Sequence, residues 1–282
     1  MRRLLPGLVL FAVGLAGCGE GAGVELGDEP TPTSTTRPYA ADQLVLRVVT
    51  SGGLVPQEYA FGVLPEVAVF GDGRVVVVGA TTMEYPGKSY PPLLVGHIDP
   101  SRLPRLVEDA KAAGVDGEEH DYGTPGITDV GTTAFVANDS RHTYETRVYA
   151  LGYDAEASGT TAAQRAGRKR LQDLRTLLVA LGDGARDAFE PSGVAVYARA
   201  YQPPQERTGE PKEMAWLGPD PAGGEAFAAG HCFVVRGAHL ARTLPGMRTA
   251  NVLTKWLSGT KAYHLAFRPL LPGDSACVPD FS

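Results

Sequence analysis

Apolar positions along this chain fall in short runs, most of them continuous, separated by glycine, proline and acidic turns. From Leu44 to Val49 apolar residues occupy both parities around Arg47, the pattern of a strand covered on both faces. Residues 67–70 and 74–78 are apolar runs on either side of Gly71-Asp72-Gly73, and Asp-Gly tolerates the positive φ of a tight hairpin. A phosphate loop would need a helix after that turn, and none follows. Residues 93–95 make a short strand. Residues 132–137 and 143–151 make a second hairpin through Asn138-Asp139-Ser140. Further strands are expected at 194–201, 232–235 and 263–267.

The period changes to that of a helix twice. Asp99-Pro100-Ser101 opens one, with Leu103, Leu106, Val107 and Ala110 on one face and Gly114 past its end. Residues 162–181 carry a stripe of Ala163, Gly167, Leu171, Leu174, Leu178 and Leu181. Arg165, Arg168 and Lys169, near Arg170 and Arg175, fall off that stripe. They are expected to form a solvated face, or one that rests on anionic headgroups. A short helix at 238–244 and a helical turn at 253–257 complete the elements. Hairpin then helix occurs at 67–113 and again at 132–181. The expected class is α+β: an antiparallel β-sheet built from hairpins, with helices packed on one face.

The first 41 residues belong to none of this. Arg2 and Arg3 precede an apolar run from Leu4 to Ala16, shorter than the ~20 residues a spanning helix needs. Small residues then end the run, as in a secretory signal. Leu15-Ala16-Gly17-Cys18 resembles the lipobox of bacterial lipoproteins. The resemblance implies cleavage after Gly17 and a diacylglyceryl group on the Cys18 sulfur, with Gly19 giving no inner-membrane retention signal. Residues 19–41, rich in Gly, Pro and Thr, cannot bury apolar area and read as a flexible tether. The expected organisation is a signal peptide at 1–17, a lipidated tether at 18–41 and an extracytoplasmic body at 42–282, either one domain or two halves meeting near 190. The expected location is the outer face of the cell membrane, held by lipid.

Charge narrows the partners. The net charge is −6, and removing Arg2 and Arg3 makes the mature chain more acidic still, which argues against nucleic acid. Of three cysteines, Cys18 is assigned to lipid. Cys232 and Cys277 remain, an even pair in an oxidising compartment, so a disulfide is expected between them; a buried free thiol or a nucleophile is the alternative.

Candidate chemistry is sparse. G-x-S-x-G, H-E-x-x-H and G-x-G-x-x-G are absent. Gly87-Lys88-Ser89 has Thr82 where a phosphate loop needs glycine and Tyr90-Pro91-Pro92 where its helix should begin. His97, His120, His142, His231, His239 and His264 are scattered, with no pair at metal spacing. His231 and Cys232 are adjacent and would face opposite ways on a strand. Glu118-Glu119-His120-Asp121 reads as an exposed turn. Asp129 reads as a cap of its own loop, or as part of a polar cleft with Tyr122 and His142. Trp216, in a Pro- and Gly-rich loop at 202–224, is expected over the core edge.

The order of Gly71-Asp72-Gly73, helix, Tyr122-Gly123 and Thr128-Asp129-Val130-Gly131-Thr132-Thr133 resembles uncharacterised bacterial envelope proteins, including actinobacterial lipoproteins. That resemblance covers 67–151 and implies a secreted or anchored α+β module, with no reaction attached. The leading expectation is a non-catalytic binding module, taking an envelope protein or a small ligand, without cofactor, metal or catalytic residues. The alternative is an envelope hydrolase with a site assembled from loops 79–92, 115–131 and 202–224. A transporter's solute receptor would need two α/β lobes with βαβ alternation, which the pattern does not offer.

Overall fold

The computed structural model describes residues 38–153, 159–203, 211–274 and 277. Cys18 and the rest of the N-terminal 37 residues lie outside the described residues. The α+β class holds, with the strands divided between two sheets.

The first sheet has seven strands. They are β1 (Leu44–Ser51), β2 (Val67–Phe70), β3 (Arg74–Val78), β4 (Leu93–His97), β5 (Thr132–Asn138), β6 (Thr143–Tyr149) and β7 (Asp187–Ala188), in the order β6-β5-β1-β2-β3-β4-β7. Every pairing in it is antiparallel. The β2–β3 turn depends on glycine twice. Gly73 has φ +87°, and a Cβ on Gly71 would stand 2.1 Å from the Ala40 carbonyl oxygen. One face of the sheet carries α2 (Leu103–Ala113) and α3 (Ala162–Ala180) over a core that includes Leu46, Val48, Val67, Phe135, Leu106 and Leu171.

The expected opening at Asp99-Pro100-Ser101 forms a 3₁₀ turn (Pro100–Arg102) that runs into α2, which itself starts at Leu103. Asp99 accepts a bond from Ser101 N–H at 2.9 Å ahead of α2, and Gly114 closes it in the left-handed conformation. Thr161 and Gln164 form a reciprocal capping box at the start of α3. Two residues of α3 depart from the expected stripe: Ala163 is exposed, and Arg168 is 0% exposed. Arg168 stands three positions before Leu171, so it belongs to the buried face. Its guanidinium donates to the Ala150 carbonyl at 2.6 Å and the Tyr122 carbonyl at 3.4 Å, which ties α3 to two loops.

The second sheet has six strands: β8 (Gly193–Ala200), β9 (Glu213–Ala215), β10 (Glu225–Phe227), β11 (Gly230–Arg236), β12 (Lys255–Ser258) and β13 (Lys261–Pro269), ordered β10-β11-β8-β13-β12-β9. Only β9–β12 is parallel. The chain passes from one sheet to the other between Ala188 and Gly193.

One face of this sheet packs against α4 (Gly237–Thr249) through Val194, Val196, Leu265, Phe267, Leu240 and Met247. Trp216 lies over this core, edge-on to Trp256 with ring centroids 5.7 Å apart. Two expectations change here. The helix expected to stop at Leu244 continues through Pro245 to Thr249, because Met247 and Ala250 are fully buried and their burial offsets the ~3 kcal/mol proline cost. A helical turn is expected at 253–257, but residues 255–258 form β12, because β13 offers an edge for them to pair with.

The inner faces of the two sheets are joined by short segments that touch both. Phe61, at the end of α1 (Gln57–Phe61), packs with Tyr197 of the second sheet, while Leu64 packs with the Ala68–Phe70 face of the first. Leu270 and Leu271 divide in the same way. Cys232 and Cys277 are bonded, with Cα atoms 5.8 Å apart, and fasten the chain after β13 to the inner face of β11.

Candidate functional site

The ladder of β13 places the site. Tyr201 N–H donates to Ala262 at 3.0 Å and Leu270 N–H to Gly193 at 2.9 Å. With the β8 register, those two bonds fix the alternation: His264, Ala266 and Arg268 exchange main-chain bonds with β8. Leu265 and Phe267 therefore turn their N–H and C=O groups the other way. On that side β12 pairs only with Lys261, Ala262 and Tyr263. Beyond Tyr263 the edge of β13 gives onto a cleft of about 1090 Å³.

The cleft is walled by residues from 56–66, 78–94, 188–189 and 264–267, with Thr50, Arg248 and Val252. Most of its surface is apolar, from side chains such as Val63, Leu64, Leu94 and Phe189. The loop between β3 and β4 runs along it. That loop is fastened to the segment after α4 by Ser89 N–H to Ala250 O at 3.2 Å and by Val252 N–H to Gly87 O at 3.0 Å. A loop of the first sheet is thus pinned to a segment of the second.

Three polar atoms in the cleft wall are buried without a hydrogen-bond partner: Ser89 Oγ, the Tyr90 hydroxyl and His264 Nδ1. Buried polar groups are nearly always paired, so three among the residues that line one cleft mark a place where a bound molecule supplies the partners. Their chemistry is complementary. His264 Nε2 lies 3.0 Å from the Val252 carbonyl, which can only accept, so Nε2 carries the proton and Nδ1 is an acceptor. Burial, and then Arg199 across the β8–β13 ladder, hold the His264 pKa below 6.5, the ordinary histidine value. Burial pushes the Tyr90 phenol up to about 12, so it stays a neutral donor beside the Arg248 guanidinium.

The two carboxylates of the cleft are already engaged. Glu66 accepts a forked pair of bonds from Arg175 at 2.7 and 3.0 Å and a third from the Thr50 hydroxyl at 2.8 Å. Glu58 is paired with Arg199. Burial would raise the Glu58 carboxyl, but its own backbone N–H and Arg199 outweigh that and hold it below the usual carboxylate range. A general acid would need a raised pKa, and that of Glu58 moves the other way.

A pH effect follows from His264. Below 6.5 the unfolded chain takes up this proton before the folded chain does, so the imidazole costs stability as pH falls toward its lower folded value, and costs none above 6.5. Thermal melts at about pH 7.5 and about pH 5 should show a smaller acid-induced drop for His264→Gln than for the parent. Equal drops would place that pKa where it is in the unfolded chain.

The residues singled out by sequence are mostly not at this site. Of the three loops suggested for a hydrolase, 79–92 lines the cleft; the described residues of 115–131 and 202–224 do not. Tyr122 is buried and donates to Gly114 O at 3.2 Å, His142 is exposed on the β5–β6 hairpin, and Asp129 is exposed with φ 61°, so no polar cleft gathers them. His120 pairs with Asp116 at 2.9 Å in the exposed turn. Among the described residues no three His, Cys, Asp or Glu side chains stand together as a metal site, and no helix is long and apolar enough to cross a membrane.

Sequence reasoning met Ser89 only as the end of a rejected phosphate motif, and His264 only as a scattered histidine. The one signal that could have marked the cleft is the pair of Pro-rich, weakly polar loops at 54–66 and 79–92 beside strands too short to cover them. The chain matches no protein-family model and no curated protein.

Proposed function

We propose that this chain is a lipid-anchored extracytoplasmic binding module, and that its ligand occupies the cleft between the two sheets. The observation that carries the reading is a roomy, mainly apolar cleft in which one buried acceptor and two buried hydroxyls lack partners. Binding sites for small molecules are concave, mostly apolar and furnished with a few converging polar groups. The ligand that fits is amphipathic. Its apolar body lies against Val63, Leu64, Leu94 and Phe189. Its polar end donates to His264 Nδ1 and accepts from the Ser89 and Tyr90 hydroxyls, and the main-chain groups of Leu265 and Phe267 supply further bonds. The Leu15–Cys18 segment supports placing this module at the membrane surface.

Binding is favoured over hydrolysis by one detail. Ser89 Oγ and His264 Nδ1 each lack any partner, so they are not bonded to each other, and the nucleophile–base contact that hydrolysis needs is not made.

The test uses anilinonaphthalene sulfonate, a fluorescent amphiphile, as the probe. It should bind the parent protein, and Ala80→Trp, which places an indole in the cleft at an exposed position, should weaken binding at least about tenfold, a change of roughly 1.4 kcal/mol. Equal affinity for parent and variant, with unchanged melting temperature, would remove the cleft as the site.

A further inference from the structure

More than half of the eleven large apolar side chains exposed among the described residues stand on the segments that border the cleft. Leu54 is 85% exposed and Tyr59 66%, on the stretch that leads into and through α1. Met83 is 103% exposed and Tyr85 69%, on the loop between β3 and β4. Val78 and Val252 line the cleft and are themselves exposed. Thr82 and Gly87, on either side of Met83 and Tyr85, line it too. A monomer that exposes an apolar patch of this kind has something to bury it against.

We infer that this apolar rim docks on a phospholipid bilayer, so that the mouth of the cleft opens toward the lipid. The inference rests on the lipid-anchor reading. Nineteen residues separate Cys18 from the first described residue, Pro38, and such a chain cannot exceed about 70 Å. An anchored body therefore never leaves the neighbourhood of the bilayer, and its apolar rim meets lipid at high effective concentration.

Charge points to apolar insertion, not electrostatic attraction. The chain is net negative, at −6, and would not be drawn to anionic headgroups as a whole. At the mouth itself Glu58 and Glu66 are neutralised by Arg199 and Arg175, Arg248 is paired with Glu190, Lys88 is cationic, and Glu84 stands between Met83 and Tyr85. With most of these charges paired, the rim can enter the interface on its Leu, Met, Tyr and Val side chains. A cleft with an apolar lining that opens into lipid takes up and releases an amphipathic ligand without carrying it through water.

The test is depth-dependent quenching on the lipidated protein in phosphatidylcholine vesicles that contain brominated acyl chains. Tryptophan is introduced at the rim (Met83→Trp and, separately, Leu54→Trp) and, as a control, by Arg141→Trp in the β5–β6 hairpin at the other end of the first sheet. The native Trp216 and Trp256 are buried, 6% and 2% exposed, so the parent protein supplies a constant background. Both rim tryptophans should be quenched at least about twofold more than the control and should shift to the blue. Vesicle flotation in the same samples reads the anchor separately. Protein that floats, with rim and control tryptophans quenched alike, loses the docking inference and keeps the anchor. Protein that neither floats nor is quenched loses both.

Discussion

Cys18→Ala is expected to move essentially all of the protein out of the membrane fraction and to abolish labelling by a fatty-acid analogue. The magnitude follows from the lipid. Each buried CH₂ contributes about 0.8 kcal/mol, so two or more acyl chains hold a protein on a bilayer against any ordinary wash. Among the described residues no helix is long and apolar enough to span a membrane. Rim docking alone would leave a weak, reversible association that washing removes. If the alanine variant stays in the membrane fraction with its label intact, the anchor is elsewhere.

The second large effect is expected from the disulfide. The bond between Cys232 and Cys277 closes 45 residues, and the chain-entropy account assigns such a loop about 4 kcal/mol. The enclosed stretch contains most of β11 and all of α4, β12 and β13, three of the six strands of the second sheet, and it supplies Arg248, Val252 and residues 264–267 to the cleft. Cys232 is fully buried among Ala195, Tyr197, Phe61 and Leu270, where the bond also holds the segment after β13 against the inner face. The Cys232→Ser/Cys277→Ser protein should lose roughly 3–4 kcal/mol in denaturant unfolding, and its cleft should bind the amphipathic probe more weakly than the parent's. A loss under about 1 kcal/mol would mean that the bonded loop is already ordered by its packing in the reduced protein.

Much of the fold is written locally. Gly71-Asp72-Gly73 between two valine-rich runs can hardly be anything but a hairpin, and Asp99-Pro100 marks the 3₁₀ turn that leads into α2 while Gly114 marks its end, without any tertiary information. The failures share a cause, which is that burial outweighed local preference. Leu253, Trp256 and Leu257 have helical spacing, yet the strand partner at Tyr263 decides their conformation. Pro245 argues for an end, yet Met247 is fully buried and the helix goes on. Arg168 looks like one more surface cation, and only its position three residues before Leu171 shows that it falls on the covered face.

The cleft was not legible for a different reason. Ser89, Tyr90 and His264 come to line one cleft through the pairing of segment 87–89 with 250–252, more than 150 residues further along the chain, and through the bond of His264 to Val252. No periodicity or motif encodes a meeting of that kind. What the sequence did carry is the exposure of the loop between β3 and β4. A stretch reading Thr-Thr-Met-Glu-Tyr-Pro between two buried strands presents Met83 and Tyr85 with nothing local to cover them.

The most direct test of the account is to purify the protein from its own membranes, extract it with organic solvent and weigh what is released by mass spectrometry. The account predicts one amphipathic species in near-equal amount to the parent protein, and its loss from Ala80→Trp prepared in the same way. An extract that is empty for the parent, or the same for parent and variant, would contradict it.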